Sequence, residues 1–252
     1  MKRYTLLIIL TLAALTMTAQ SQNEQWFEQA NAAYNAGNYD SAMMFYEQIL
    51  ATDVESVPLY YNMGNAYYKM REYPMAIYYY EKALKLDPSN DDVRTNLEIA
   101  NLAIVDKIEP VPQSFIVKGW NGLKHRLSGD GWAYVSIGAF ASLLVAVYLF
   151  LRGRRTGWRK LGFFGGIVVF IVLALSVLFA AQLKQAASKQ DQAIVMSPTV
   201  TVKSSPNEAS IDLFVLHEGT KVTLLDEADG WNKIKIANGS VGWLQADFMR
   251  RF

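Results

Sequence analysis

Three apolar runs interrupt an otherwise mixed pattern of hydrophobic and polar positions. The first, Leu6–Ala19, follows a basic start and precedes a polar stretch, which is typical of a secretory signal peptide over residues 1–19; an uncleaved anchor is the alternative. The other two, Trp132–Leu151 and residues 162–183, contain no charged residue. A helix rises about 1.5 Å per residue, so each run is long enough to cross a hydrocarbon layer of roughly 30 Å. We therefore predict two transmembrane helices rather than two buried helices of a soluble domain, which are rarely apolar on all sides.

A basic loop separates the two predicted spans. Residues 152–161 carry five cations and no acid: Arg152, Arg154, Arg155, Arg159 and Lys160. Such a loop is typical of the cytoplasmic side of a membrane. A signal peptide that exports residues 23–130 agrees with this orientation, because two further crossings then export residues 185–252. The sequence predicts a two-pass protein of a bacterial inner membrane with both large domains in the periplasm. The spans lack the ionisable side chains that transport pathways normally need at depth.

Two gapless copies of a 34-residue pattern follow the first apolar run, at residues 23–56 and 57–90. Each copy has two small residues twelve positions apart: Ala30 and Ala42 in the first, Gly64 and Ala76 in the second. Small residues at these positions allow two antiparallel helices to cross closely. Gly37 breaks the helical pattern of the first copy, whereas the second has Arg71 at that position. A third amphipathic stretch, Asp91–Val105, predicts a helix that caps the second copy and ends the domain at residue 106.

The two copies resemble the tetratricopeptide repeat, in which pairs of antiparallel helices stack on one another. The resemblance implies that the first helix of each copy lines a concave groove where partner peptides bind. By this resemblance, the residues of this chain that are predicted to line the groove are Phe27, Asn31, Tyr34, Asn35, Tyr61, Asn65, Tyr68 and Lys69. Asparagine side chains suit an extended peptide backbone and the rings supply apolar contact; the alternative is that several of them only stiffen the helix face. The basic residues that clamp C-terminal carboxylates in one subfamily are absent from positions Phe27, Asp92 and Asn96.

From residue 191 the pattern changes to short β-rich runs separated by Gly, Asn, Asp and Pro. Five runs predict strands: Ala193–Val195, Thr199–Lys203, Lys221–Asp226, Trp231–Ile236 and Val241–Leu244. Residues 191–252 resemble a bacterial SH3 domain, and the segments that carry the resemblance are Val202–Pro206, Glu218–Val222, Gly230–Ile234 and Gly242–Leu244. The resemblance implies a small barrel that binds cell-wall peptides or protein segments. Trp231 and Trp243 are the predicted groove residues, with a place in the core as the alternative.

The composition excludes several kinds of chemistry. The chain has no cysteine and only two histidines, His125 and His217, which are far apart in the sequence. Disulfides, cysteine nucleophiles and metal sites built on Cys or His are therefore not expected. The net charge is +1, and no basic patch with interleaved aromatics indicates nucleic-acid binding. We expect no cofactor, no metal and no enzymatic activity. Residues 107–131 are predicted to be a linker in which Phe115–Leu127 forms an amphipathic helix at the membrane surface.

These elements together predict a multidomain membrane protein: all-α tetratricopeptide helical repeats, a transmembrane helical hairpin and a small all-β SH3-like barrel. Their order over the whole chain resembles the BatE family of the Bacteroides aerotolerance operon. The resemblance implies a cell-envelope complex with other membrane-anchored Bat proteins and a MoxR-type ATPase, and a role in oxygen or stress tolerance. We expect a scaffold whose repeats and barrel bind protein partners. The alternative is a tether that binds peptidoglycan through the barrel.

Overall fold

Five helices form the first part of residues 22–252, the range that the structure, a computed structural model, describes. The predicted signal peptide lies outside the described residues. The helices are α1 (residues 22–35), α2 (Tyr39–Leu50), α3 (Val57–Lys69), α4 (Tyr73–Leu86) and α5 (Asp91–Asn101). Each helix packs against its neighbour in the chain, and α5 packs against both α3 and α4. The pairs α1–α2 and α3–α4 correspond to the two copies of the sequence repeat.

Each helical pair turns through a residue with a left-handed backbone. Gly37 has φ +79° between α1 and α2, and Arg71 has φ +67° at the equivalent position between α3 and α4. The left-handed conformation costs an L-residue with a side chain roughly 1–2 kcal/mol. The second copy therefore makes the same turn without glycine, as predicted, and the surrounding helix packing offsets the cost.

Small residues bring the paired helices into close contact. Ala30, Ala42 and Ala76 are completely buried. Gly64 lies directly against the ring of Tyr80, where an added Cβ would be 2.5 Å from Cε1. Real Cβ atoms essentially never come that close. The predicted need for small residues at the helix crossing is confirmed at these positions.

The helix predicted over Asp91–Val105 is shorter than expected. α5 ends at Asn101, and Ile104 lies outside it. Ile104 instead packs against Gly219, a glycine with φ +86° in the C-terminal domain, where an added Cβ would be 2.5 Å from its Cγ2. The helical spacing of Ile104 was therefore misleading, because this partly buried residue lies between the repeat core and a contact more than a hundred positions away.

The carboxylate of Asp106 connects the segment after α5 to the C-terminal domain by hydrogen bonds. It accepts hydrogen bonds from the backbone N–H of His217 (2.7 Å) and from the hydroxyl of Thr220 (2.7 Å). Nδ1 of His217 lies 2.8 Å from its second oxygen. Burial raises the pKa of Asp106, but the hydrogen bonds from Thr220 and His217 outweigh burial and hold the pKa below its usual value. The contact therefore contributes stability above the ordinary carboxyl pKa, and this stability is lost as the pH falls through the lowered pKa.

A helical hairpin follows the repeats. Helix α6 (Phe115–Lys124) leads into α7 (Gly129–Arg152) and α8 (Thr156–Ser188), which run antiparallel and pack against each other. Both α7 and α8 are long and apolar enough to cross a membrane. Only 11% of the most apolar stretch of each helix is buried, unlike the core helix of a soluble protein. The length, the apolar composition and the low burial of both helices together favour membrane insertion.

Small residues let α7 and α8 approach closely. Gly162 is buried against α7, where an added Cβ would be 2.6 Å from the carbonyl oxygen of Ala146. Gly166 also faces Ala146, at 3.5 Å. Ser176 is buried, and its hydroxyl donates to the carbonyl of Leu173 (2.9 Å) within its own helix. The hairpin thus packs on itself through the small residues of its two helices.

The connection between α7 and α8 is shorter than the predicted loop over residues 152–161. α7 ends at Arg152 and α8 begins at Thr156, so Arg154 and Arg155 lie in the connection and Arg159 and Lys160 lie in α8. Helix α8 therefore begins inside the predicted loop, since residues 156–161 contain no proline that would interrupt a helix. All five basic side chains of this region are exposed.

An antiparallel sheet forms the C-terminal part of the described chain. Its strands are β1 (Gln192–Val195), β2 (Thr199–Lys203), β3 (Asp212–His217), β4 (Lys221–Ala228), β5 (Trp231–Lys235), β6 (Val241–Gln245) and β7 (Met249–Arg251). They pair in the order β3-β2-β6-β5-β4-β1-β7. Five strands match the predicted runs, whereas β3 and β7 were not predicted. Because β3 and β7 are not paired with each other within residues 22–252, the sheet is open, and the predicted closed barrel is not observed.

The edge strand β7 is covered by helix α4 instead of by another strand. The hydroxyl of Tyr78 donates to the carbonyl of Arg251 (3.3 Å), and its ring meets that of Phe252 edge-on, with the centroids 5.8 Å apart. Phe252 and Ile194 are buried in the same hydrophobic cluster as the repeat helices. A helix that covers an edge strand removes it from further pairing. This contact joins the two domains at an edge of the open sheet.

Candidate partner-binding site

Hydrogen-bonded asparagines link the first helices of successive repeats. Asn65 of α3 accepts hydrogen bonds through Oδ1 from the hydroxyl of Tyr80 (2.7 Å) and from Nδ2 of Asn96 in α5 (2.8 Å). Nδ2 of Asn96 also donates to the hydroxyl of Tyr61 (3.1 Å). Tyr80 is almost completely buried, so its hydroxyl has a partner inside the core, as buried polar groups require.

The same arrangement occurs one repeat earlier. Oδ1 of Asn31 in α1 accepts hydrogen bonds from the hydroxyl of Tyr46 (2.6 Å) and from Nδ2 of Asn62 in α3 (2.9 Å). Asn96 occupies the position in α5 that Asn62 occupies in α3, so α5 acts as the first helix of a third repeat. We call these six residues the asparagine–tyrosine ladder: Asn31, Tyr46, Asn62, Asn65, Tyr80 and Asn96.

The ladder determines what two of the predicted groove residues do. Asn31 and Asn65 use their side-chain oxygens to accept hydrogen bonds inside the fold, which agrees with the alternative that they stiffen the helix face. The sequence analysis missed their partners, although the spacing of 34 residues between the equivalent asparagines and tyrosines was visible in the repeat. Burial raises the pKa of Tyr46 to about 12 and raises that of Tyr80 as well. Both hydroxyls are therefore protonated donors at neutral pH.

The predicted groove tyrosines and phenylalanine pack in two equivalent sets of ring contacts. Phe27 contacts Tyr46 in the first repeat and Tyr61 contacts Tyr80 in the second, with centroid distances of 6.0 and 6.3 Å. The edge-on contacts at the helical turns repeat in the same way, and they are Tyr34–Tyr39 and Tyr68–Tyr73. Their partners Tyr46 and Tyr80 are almost completely buried, whereas the predicted groove rings are partly buried. They form the wall of the repeat face and leave only part of each ring open to a partner.

Asn35 and Lys69 are the exposed members of the predicted set. They occupy equivalent positions near the ends of α1 and α3, and both side chains are exposed. Asn35 lines a cavity of about 260 Å³ together with Asn31, Tyr34, Tyr46 and Asn62. The structure thus brings three predicted groove residues, Asn31, Tyr34 and Asn35, into one concave cavity.

Phe27 lines a different cavity. This second cavity, of about 710 Å³, lies between the start of α1, the end of α2 and the start of α3. Its other lining residues include Ile49, Val54 and Leu59, and apolar surface predominates. The predicted groove is therefore divided in two, with Phe27 at the apolar end of the domain and the asparagines in the polar concave part.

The two predicted tryptophans lie on the same face of the sheet. Trp243 in β6 is directly opposite Lys233 in β5 and is also paired with Lys203 in β2. Trp231 lies two positions before Lys233, and alternate residues of a strand point to the same face. Trp231 is buried and Trp243 is half-buried. Trp243 is thus the more accessible ring, between two lysines.

Among the residues that the structure describes, no carboxylate lies within ion-pair distance of the basic side chains at the α7–α8 connection. Arg152, Arg154, Arg155 and Lys160 are exposed, and the guanidinium of Arg159 lies 6.0 Å from the ring centre of Phe150. Within the part of the chain that the structure describes, no group of three or more His, Asp or Glu side chains is arranged to hold a metal ion.

Comparison with known proteins identifies one part of the chain. Residues 57–90 match the tetratricopeptide repeat family, and this range coincides with the predicted second copy. No curated protein matches the chain. The protein thus contains a tetratricopeptide repeat, followed by two apolar helices and an antiparallel sheet. Tetratricopeptide repeats are typically non-catalytic scaffolds, and the match therefore indicates protein–protein interaction.

Proposed function

We propose that this protein is a membrane-anchored scaffold that binds a protein partner on the concave face of its repeats. The observation that carries the proposal is the position of Asn35 and Lys69, which are exposed and equivalent in the two copies. Asn35 also lines the concave cavity, whose lining residues all come from the repeats. The C-terminal sheet packs on α4, away from this cavity, so the docked sheet leaves the concave face open.

The asparagine–tyrosine ladder supports this proposal because it makes the face rigid before a partner binds. Hydrogen bonds between α1, α3 and α5 fix the spacing of the three helices that carry the face. A preformed surface loses less conformational entropy on binding than a flexible one. The partner therefore gains affinity from contacts with Asn35, Lys69 and the open edges of the rings.

Two substitutions on this face test the proposal. The double variant Asn35→Asp/Lys69→Glu changes exposed side chains and leaves the ladder intact. Full-length protein is isolated from detergent-solubilised membranes, and its retained partners are identified by mass spectrometry. We expect the double variant to lose partners that the wild type and the control Lys235→Glu, an exposed lysine on β5, both retain. Retention of every partner by the double variant would refute a binding role for the concave face.

The proposed anchor is the α7–α8 hairpin, with the repeats and the sheet on the exported side. The proposal is supported by the exposed apolar surfaces of both helices and by the five cations at their connection. It is also supported by the contacts between the domains that flank the hairpin, since Phe252 packs on Tyr78. Domains in contact lie on one side of a bilayer.

Sidedness is open to a direct chemical test because the chain has no cysteine. Single variants Lys107→Cys, Ser205→Cys and Thr156→Cys place one thiol in the linker, in the sheet domain and at the connection. A membrane-impermeant maleimide applied to intact spheroplasts should label the first two and should label Thr156→Cys only after lysis. Labelling of all three, or opposite labelling of the two domains, would contradict the proposed orientation.

We further propose that the sheet is an SH3-like module and that the protein acts in a BatE-type envelope complex. The order of repeat, hairpin and β-rich domain supports this assignment. Its partners are then other membrane-anchored Bat proteins and a MoxR-type ATPase, in a complex related to oxygen or stress tolerance.

The second candidate function is a cell-wall tether that binds peptidoglycan through the sheet. It is supported by half-buried Trp243, which lies between Lys203 and Lys233 on the sheet face away from the core. The test is sedimentation of full-length protein in detergent with purified wall sacculi. Cosedimentation that Trp243→Ala abolishes would favour the tether, whereas no cosedimentation would exclude it.

A further inference from the structure

A second polar cavity lies where the repeats, the hairpin and the sheet domain meet. It has a volume of about 560 Å³, in the range of ligand pockets, and we call it the junction cavity. Its walls come from α4, the start of α5, the end of α6, the last turns of α8 and the segment that leads into β1. The basic residues that line it are Lys85, Arg94, Lys124, His125, Lys189 and Lys221.

The junction cavity has more positive than negative charge. Five lysines and arginines face two carboxylates in its lining, Glu81 and Asp191, which leaves an excess of three positive charges. Glu81 is already paired with Lys221, at 2.6 Å. Arg94 is paired with Asp91, which lies just outside the lining, so the excess is two charges even when Asp91 is included.

Among residues 22–252, no carboxylate lies within ion-pair distance of three of these cations: Lys85, Lys124 and Lys189. The ammonium group of Lys85 donates to the backbone carbonyl of Lys189, which leaves Lys124 and Lys189 as the two more available cations. Burial lowers the pKa of the neighbouring His125, and the charges of Lys124 and Arg94 lower it further. Burial also lowers the pKa of Lys85. A bound anion would neutralise these mutually repelling groups.

The position of the junction cavity on the hairpin indicates which anion it meets. The rings of Trp120 and Trp132 contact Phe179 of α8 at 4.9 and 5.0 Å, and tryptophans in such a belt mark the boundary of a bilayer. The lining of the cavity begins at Gln182, three residues and about 4.5 Å farther along α8. The cavity therefore opens at the level of the lipid headgroups. Helix α6, whose last residue Lys124 lines the cavity, exposes the apolar ring of Phe115 at its opposite end, which suits the same boundary.

We propose that the junction cavity binds a phosphate-bearing anion at the membrane surface, with Lys124 and Lys189 as its principal ligands. An anionic phospholipid headgroup is the source available at that depth, and a soluble phosphate compound has the same chemistry. The inference rests on the proposed insertion of the hairpin. A lipid bound there would join the hairpin to both folded domains and fix their orientation on the membrane.

The test uses the full chain in dodecyl maltoside and measures bound lipid by native mass spectrometry. The probes are dioctanoyl phosphatidylglycerol, dioctanoyl phosphatidylcholine and soluble glycerol phosphate. The test variant is Lys124→Gln/Lys189→Gln. The matched control is Lys118→Gln/Lys184→Gln, which removes the same charge from exposed positions at the same end of the hairpin, outside the cavity. Circular dichroism shows whether each variant is folded, and flotation with vesicles shows whether it is inserted.

We expect one phosphatidylglycerol to bind in preference to phosphatidylcholine. The test variant should bind it about thirtyfold more weakly, whereas the control should lose less than about threefold. If the test variant is unfolded, the single variants Lys124→Gln and Lys189→Gln should each show about a fivefold loss. Competition by glycerol phosphate at similar concentration would support the site and indicate a soluble source. Equal binding of the two lipids, or equal losses in test and control variants, would overturn the proposal. Failure to float would instead refute the proposed insertion.

Discussion

Replacing Asn65 with alanine should destabilise the repeat domain strongly, although this residue was predicted to face a partner. Its Oδ1 accepts two hydrogen bonds, from the hydroxyl of Tyr80 and from Nδ2 of Asn96. The substitution removes the bond to Asn96, which costs about 1 kcal/mol, and leaves a buried tyrosine hydroxyl without a partner, which costs about 2 kcal/mol. We therefore expect Asn65→Ala to lower the free energy of unfolding by about 3 kcal/mol.

A double-mutant cycle separates the two contributions. Tyr80→Phe removes the donor and leaves Asn65 bonded to Asn96, so it should cost only about 1 kcal/mol. Once the hydroxyl is gone, Asn65→Ala removes only the bond to Asn96 and should cost about 1 kcal/mol. The coupling energy between the two positions is then about 2 kcal/mol, which is measurable for residues in contact.

The assay is urea unfolding of the full chain in neutral detergent, followed by far-ultraviolet circular dichroism. With a slope of about 2 kcal/mol per M, Asn65→Ala should lower the unfolding midpoint by about 1.5 M. Asn35→Ala, near the end of α1 in the first repeat, is the control, and the loss of its exposed side chain should cost less than about 0.5 kcal/mol. Equal effects of Asn65→Ala and Asn35→Ala, or strict additivity with Tyr80→Phe, would refute the structural role of the ladder.

Three further changes test the hairpin, the tyrosines and the domain contact. Gly162→Leu should destabilise the α7–α8 pair by at least about 2 kcal/mol. Gly165→Leu is the control and should not, because an added Cβ there meets nothing within 4 Å. The two variants are compared by their thermal stability in detergent. The pKa of the Tyr46 hydroxyl is raised from its ordinary value of 10.0 to about 12 in the folded state. The unfolded state therefore loses this proton at a lower pH, and the repeats should lose stability as the pH rises from about 10 to about 12. Tyrosinate absorbance and helical signal should therefore change together, and ionisation without unfolding would contradict this. Asp106→Ala removes three hydrogen-bond contacts and should speed proteolysis of the linker after α5, with Glu109→Ala as an exposed control.

The sequence by itself determined the elements whose signals are local. A run of apolar residues makes a helix of fixed length per residue, so the two long helices were predicted from composition. The 34-residue spacing likewise determined the repeat, because a small residue such as Gly64 has a steric role that depends on its own helix pair. The alternating runs that form β1, β2, β4, β5 and β6 were visible for the same reason. Each of these signals repeats within a few helical turns or strand residues.

Only the tertiary structure decided the contacts between distant segments. Ile104 lies at helical spacing in the sequence, but it lies outside α5 and contacts Gly219 of another domain as well as the repeat core. The short strand β7 has no strong β pattern, and it forms because β1 and α4 enclose it. The junction cavity combines Lys124 and Lys189 with residues of α4, which no spacing in the sequence relates. The periodicity of a sequence predicts on which face of a helix or strand a residue lies. Which residue it contacts on that face depends on the packing of the whole chain.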